Sequence, residues 1–174
     1  NVDATAAFSS SVNAQGYNVA DSSIASMAGA AITAGTDNLV LAGEAGELTL
    51  TGTVAQTVAG SVLGSADGKG VLDNANTSNT VTFSGAVGAT ELQEVELDDD
   101  STTVFQAAVK AKVLDLDDGT VTFEENGNLF NALTTKAAAT VIVGNAVANG
   151  EELILEATGA DANSIVTGTT IIMP

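Results

Sequence analysis

The residues with the most chemical potential are acidic and fall in two matching phrases, Val95-Glu96-Leu97-Asp98-Asp99 and Leu114-Asp115-Leu116-Asp117-Asp118. Both alternate apolar and acidic side chains, which is strand spacing and not helix spacing. If the two strands stack, Glu96 meets Asp115, Asp98 meets Asp117 and Asp99 meets Asp118, with about 4.8 Å between rungs. Like charges that face each other across strands destabilise a sheet. Hard divalent cations relieve that repulsion, and clustered carboxylates beside turn carbonyls are the ligands calcium prefers. Asp98, Asp99, Asp115, Asp117 and Asp118 are therefore the candidate calcium ligands, with a solvated acidic edge as the competing reading. No other cofactor is expected.

The remaining reactive patterns resolve into ordinary structure. Asp67-Gly68-Lys69-Gly70 lacks the glycine spacing and the following Ser/Thr of a phosphate-cradling loop and reads as a turn. Glu124-Glu125 and Glu151-Glu152 are adjacent acids, but neighbours on a strand point to opposite faces and do not converge as a glycosidase pair. Without histidine the usual base for a hydroxyl nucleophile is missing. The chain also has no arginine, which a solenoid lyase would want near its sugar acids. No catalytic residues are expected, and the chain is not expected to be an enzyme. Asn76-Thr77-Ser78 has the form of a glycan acceptor.

What must position the acidic phrases is a repeat. Val81-Thr82-Phe83, Val104-Phe105, Val121-Thr122-Phe123 and Val141-Ile142-Val143 place a large apolar residue at 83, 105, 123 and 143, in steps of 22, 18 and 20 residues. The acidic phrases lie between these, joined by Leu153-Ile154-Leu155. A period of roughly 20 residues holding two strands is the signature of a stacked β architecture. The four large residues read as one internal ladder, each burial contributing about 1.5 to 3 kcal/mol. The expected fold is all-β, a parallel β-solenoid-like stack, with a β-sandwich or jelly roll completed by a donated strand as the rival.

Three regions are expected. Residues 1–36 form an N-terminal arm or cap, with one or two helical turns between Val19 and Ile32. Residues 37–163 form the repeat domain, in which Leu48–Val54 aligns with Val81–Val87 and Ala55–Asn79 is an insertion of short irregular strands. Residues 164–174 form an apolar β tail without a partner of its own.

The 22 acidic residues against four lysines give a formal charge of −18. Such a surface repels nucleic acid and anionic membrane, since both are bound by exchanging counterions for Lys or Arg. No stretch is long and apolar enough to span a bilayer. The absence of cysteine leaves the redox compartment open. The chain opens at Asn1, which suggests a processed mature protein or a piece of a longer one. An acidic, Thr/Ala/Gly-rich, cysteine-free composition fits an exported protein, secreted or at the cell surface.

The wording Thr80-Val-Thr-Phe-Ser-Gly-Ala-Val-Gly-Ala-Thr90, followed by a Leu/Val strand, a polar turn and another Thr-Val-Thr-Phe, resembles the passenger repeats of bacterial autotransporter surface antigens of the rickettsial outer-membrane type. The likeness covers about residues 37 to 157. It implies a right-handed parallel β-solenoid outside the cell, serving as adhesin or coat. The 174 residues depart from those passengers in their acidic turns.

A stacked sheet ends in unpaired backbone groups. Ile165, Val166, Ile171, Ile172 and Met173 are the expected self-assembly residues, adding to a second copy head to tail in an open chain. The expected function is thus a structural protein that forms a filament, sheath or surface layer. The alternative is an adhesin fragment that binds a host surface or polysaccharide.

Overall fold

Alternation of buried and exposed positions runs through almost every strand, and all strand pairings are parallel. The structure, a computed structural model, describes residues 4–98, 100–125, 127–135, 139–143, 153–155 and 170–172, without the side chains of 36, 153–155 and 170. It is a parallel β-solenoid with no helix among the described residues, so no helix there is able to cross a membrane. Parallel pairing throughout excludes the sandwich completed by a donated strand.

Each coil contributes to three faces. The first stacks β1 (Thr5–Phe8), β3 (Ile24–Met27), β5 (Glu47–Leu50), β8 (Val71–Asn74) and the C-terminal parts of β10 (Val87–Leu97), β12 (Val109–Leu116) and β14 (Asn128–Thr135). The second stacks the N-terminal parts of β2 (Val12–Val19) and β4 (Ala31–Leu41), then β6 (Gln56–Ala59), β9 (Thr80–Phe83), β11 (Thr102–Phe105), β13 (Thr120–Phe123), β15 (Thr140–Val143) and β17 (Thr170–Ile172). The third takes the C-terminal parts of β2 and β4, β7 (Val62–Gly64), the N-terminal parts of β10, β12 and β14, and β16 (Leu153–Leu155).

Inward columns make the core. Ala25, Leu48, Leu72, Val95, Leu114 and Leu133 stand over one another on the first face, all buried. On the second face Val58, Phe83, Phe105, Phe123 and Val143 are in register, as the 22, 18 and 20 residue steps require. The phenyl rings stack, Phe83 on Phe105 at 5.0 Å and 20° and Phe105 on Phe123 at 5.5 Å and 11°, with Phe130 tilted against Phe123 at 5.8 Å. Offset stacking of this kind adds about 0.5 to 1.5 kcal/mol per pair to the burial of the rings. Where β10 turns from the third face to the first, Gly88 sits at φ 73°, and a Cβ there would collide with the Lys110 carbonyl oxygen of the next coil.

Five expectations need correction. Residues 19–32 contain no helical turn: Ile24–Met27 is a strand whose Ala25 and Met27 point inward. The cap expected at residues 1–36 is not a separate layer, because β1, β2 and β3 are themselves rungs and β4 runs through position 37. Leu48 stacks on Leu72 and not in the column of Val81, which lies under Gln56. Alternation gives the side of a strand but not its face, so two Thr-rich strands from different faces aligned by chance. The stretch 55–79 is accordingly no insertion but carries three regular rungs, β6, β7 and β8. The C-terminal tail does have a partner, since β17 pairs with β15 at Thr140–Thr170, Val141–Ile171 and Ile142–Ile172.

Candidate functional site

Two parts of the surface follow from the stacking: the acidic side of the first face and the two ends of the coil. On the first face the outward column reads Ser26, Thr49, Asp73, Glu96, Asp115, Thr134, because each is one residue from an inward Ala or Leu. Glu96 meets Asp115 as the sequence predicts. Asp98 and Asp117 follow at the corner, where the Asp98 amide donates to the Asn74 carbonyl (3.1 Å) and the Asp117 amide to the Leu97 carbonyl (2.9 Å). Asp118 is used differently: its Oδ1 accepts from the Asp100 amide at 2.6 Å. Asp115 accepts from the Thr134 hydroxyl. Asp99, the fifth expected calcium ligand, lies outside the described residues. Among the described residues no group of three or more carboxylates is arranged to hold one metal ion.

Asp73 joins this column without having been singled out by its sequence. Burial pushes its carboxyl up to about 7, and the charges of Asp98, Glu96 and Glu47 push the same way against a hydrogen bond from Thr49. Its Oδ1 is buried without a hydrogen-bond partner. Away from this face, Lys69 pairs with Glu44 at 2.7 Å and holds that exposed carboxyl below its ordinary value.

A second feature missed in the sequence is an amide cluster inside the corner between the first two faces. Asn76 donates through Nδ2 to the Val54 carbonyl and to Gln56 Oε1, both at 2.9 Å. Its Oδ1 accepts from the Ser78 and Asn79 amides. Gln56 Nε2 donates to the Met27 and Gly29 carbonyls, its Oε1 accepts from the Gly52 amide, and Asn74 Nδ2 donates to the Thr103 hydroxyl at 2.7 Å. Gln56, Asn74 and Asn76 are buried, so these bonds satisfy groups that water does not reach. Asn76 is thus no accessible glycan acceptor in the folded chain: its nitrogen is enclosed and both its hydrogens are used.

The ends show what the middle hides. Among the described residues β1 pairs only with β3, β2 only with β4, β16 only with β14 and β17 only with β15. Phe8 belongs to the inward column of Met27 and Leu50, which are 1 % and 0 % exposed, yet it is itself 38 % exposed. Ile171 continues the inward column of Val121 and Val141, both 0 % exposed, and is 48 % exposed. Beneath Phe8 the lumen opens into a cavity of about 280 Å³ lined by Ala6, Phe8, Tyr17, Val19, Ala25 and Met27. The Tyr17 hydroxyl is buried there without a partner, and burial raises its pKa. No Asp, Glu or Lys lies on β1, β2, β15, β16 or β17. Of the expected assembly residues, Ile171 points into the stack and Ile172 outward at 42 % exposure, while Ile165, Val166 and Met173 lie outside the described residues.

No family model, curated protein or solved structure matches this chain.

Proposed function

We propose that the protein is an exported structural subunit that adds to copies of itself end to end, by strand addition, into an extracellular filament, sheath or surface layer. One observation carries this reading: at each end a core-column side chain, Phe8 or Ile171, stands exposed beside a strand edge that no described residue pairs. What covers such a surface is another coil in the same direction, because the edge accepts a parallel strand and the lumen accepts inward side chains. The opposite end of a second copy offers both. Such a contact is heterologous and does not close on itself, so it propagates. Charge favours the same route: the formal −18 opposes side-by-side approach, whereas the end strands carry none of it.

The resemblance to autotransporter passengers supports an extracellular setting and a second reading, an adhesin segment that contacts a host surface or polysaccharide. The same open ends favour it where further coils of one longer chain cover them. Negative-stain microscopy of the concentrated purified chain tests the first reading. Filaments or sheets support it, and strictly monomeric particles with and without calcium reject it.

A further inference from the structure

The outer side of the second face differs from the rest of the surface. Its strands carry no ionisable side chain from β6 to β17, on a chain with 22 acidic residues. Two outward columns cover it. The first is Thr80, Thr102, Thr120 and Thr140, and the second is Thr57, Thr82, Val104, Thr122, Ile142 and Ile172. Among the described residues Asp100, Asp118 and Glu124 flank its strands in the chain, outside the strands themselves.

Three properties make this a regular grid. Registers from β9 to β17 run without a shift, while β2 on β4 and β10 on β12 both slip. The stacked rings of Phe83, Phe105 and Phe123 back it from inside and hold the rungs level. Among the described residues the hydroxyls of Thr80, Thr82, Thr102, Thr120 and Thr122 have no hydrogen-bond partner, whereas Thr49 and Thr134 on the first face bond to Glu47 and Asp115. Hydroxyls therefore repeat at about 4.8 Å down the first column and pair at about 6.6 Å along β9 and β13, while Val104 and Ile142 place only methyl groups in the second column.

The rung spacing lies close to the shorter oxygen repeat of the prism face of hexagonal ice, and the spacing along a strand falls somewhat short of the longer one. A hydroxyl both donates and accepts, so each threonine can occupy a lattice position of either polarity. The methyl groups between them leave first-layer water bonded to its own neighbours. Charged groups would impose hydration shells of another geometry, and the strands of this face have none. We infer that the second face binds the surface of crystalline water, its two outward columns holding a water layer continuous with the ice lattice. This rests on the fold alone, so it stands or falls apart from end-to-end assembly.

The test is microscopy of a single ice crystal held just below its melting point in a solution of the purified full chain. The wild type and Val113→Lys, which puts the same charge on the first face, facet the crystal and separate its freezing from its melting temperature. Thr102→Lys and Thr120→Lys, folded by circular dichroism, lose both effects. If a lysine variant does not fold, Thr102→Leu and Thr120→Leu keep the strand, remove the hydroxyl grid and give the same readout. A round, unshaped crystal in wild-type protein overturns the inference, and so does faceting retained by the folded threonine variants. Adsorption to crystalline cellulose without ice shaping overturns it in favour of a polysaccharide.

Discussion

Asn76→Asp changes one atom type at the buried corner and nothing in size. The amide nitrogen donates to the Val54 carbonyl and to Gln56 Oε1, each at 2.9 Å, and an oxygen in its place faces two acceptors. Two hydrogen bonds of about 1 kcal/mol net each are lost, and the Val54 carbonyl left unsatisfied adds about 1 to 3 kcal/mol, since Gln56 Oε1 keeps its bond from the Gly52 amide. The variant should thus unfold about 3 to 5 kcal/mol more easily near pH 8, a large share of the 5 to 15 kcal/mol typical of a domain. The introduced carboxyl has a raised pKa in the folded state, so its protonated form is the stabilising one. Protonation restores one donor, and the deficit should shrink as pH falls towards 5. Asn76→Ala, which can regain nothing on protonation, should show no such recovery. Urea unfolding followed by circular dichroism at both pH values gives the numbers. A deficit below about 1 kcal/mol near pH 8 would refute the argument that these amide bonds hold the corner.

Other outcomes follow from the same geometry. Phe105→Ala removes the middle ring of the stack and should cost about 3 to 5 kcal/mol in urea unfolding, against about 0.5 kcal/mol or less for the outward Val104→Ala on the same strand. Asp73 keeps its proton to about 7 when folded and loses it near 3.8 when unfolded, so its contribution is complete below about 4 and lost as pH rises through 7. The melting temperature should therefore rise when pH is lowered from 8 to 5, and Asp73→Asn should flatten that rise.

Much of the second face was legible in the sequence because one bulky residue recurs in each Val/Thr phrase. Phe83, Phe105, Phe123 and Val143 stack as their spacing requires, and Glu96 meets Asp115 for the same reason. The first coils were not legible. Ala6, Ala14 and Ala25 fill inward positions where a large residue would have marked the period, so alternation there is faint. The buried amides were hidden by their type: Asn74 and Asn76 look like turn residues until three backbone segments converge on them. Asp73 was missed likewise, its burial arising from neighbouring rungs and not from its own phrase. The threonine columns were not legible either, because only the register shows which outward residues share a face.

End-to-end addition is tested most directly by poisoning one end at a time. Phe8→Asp places a charge in the first lumen and leaves the last rung intact, and Ile171→Asp does the reverse. Each variant alone should sediment as a monomer where the wild type forms long assemblies. An equal mixture should give one-to-one dimers and nothing larger, because one sound first rung then meets one sound last rung. Long polymers from either variant alone, or a mixture that stays monomeric while the wild type assembles, would contradict head-to-tail stacking.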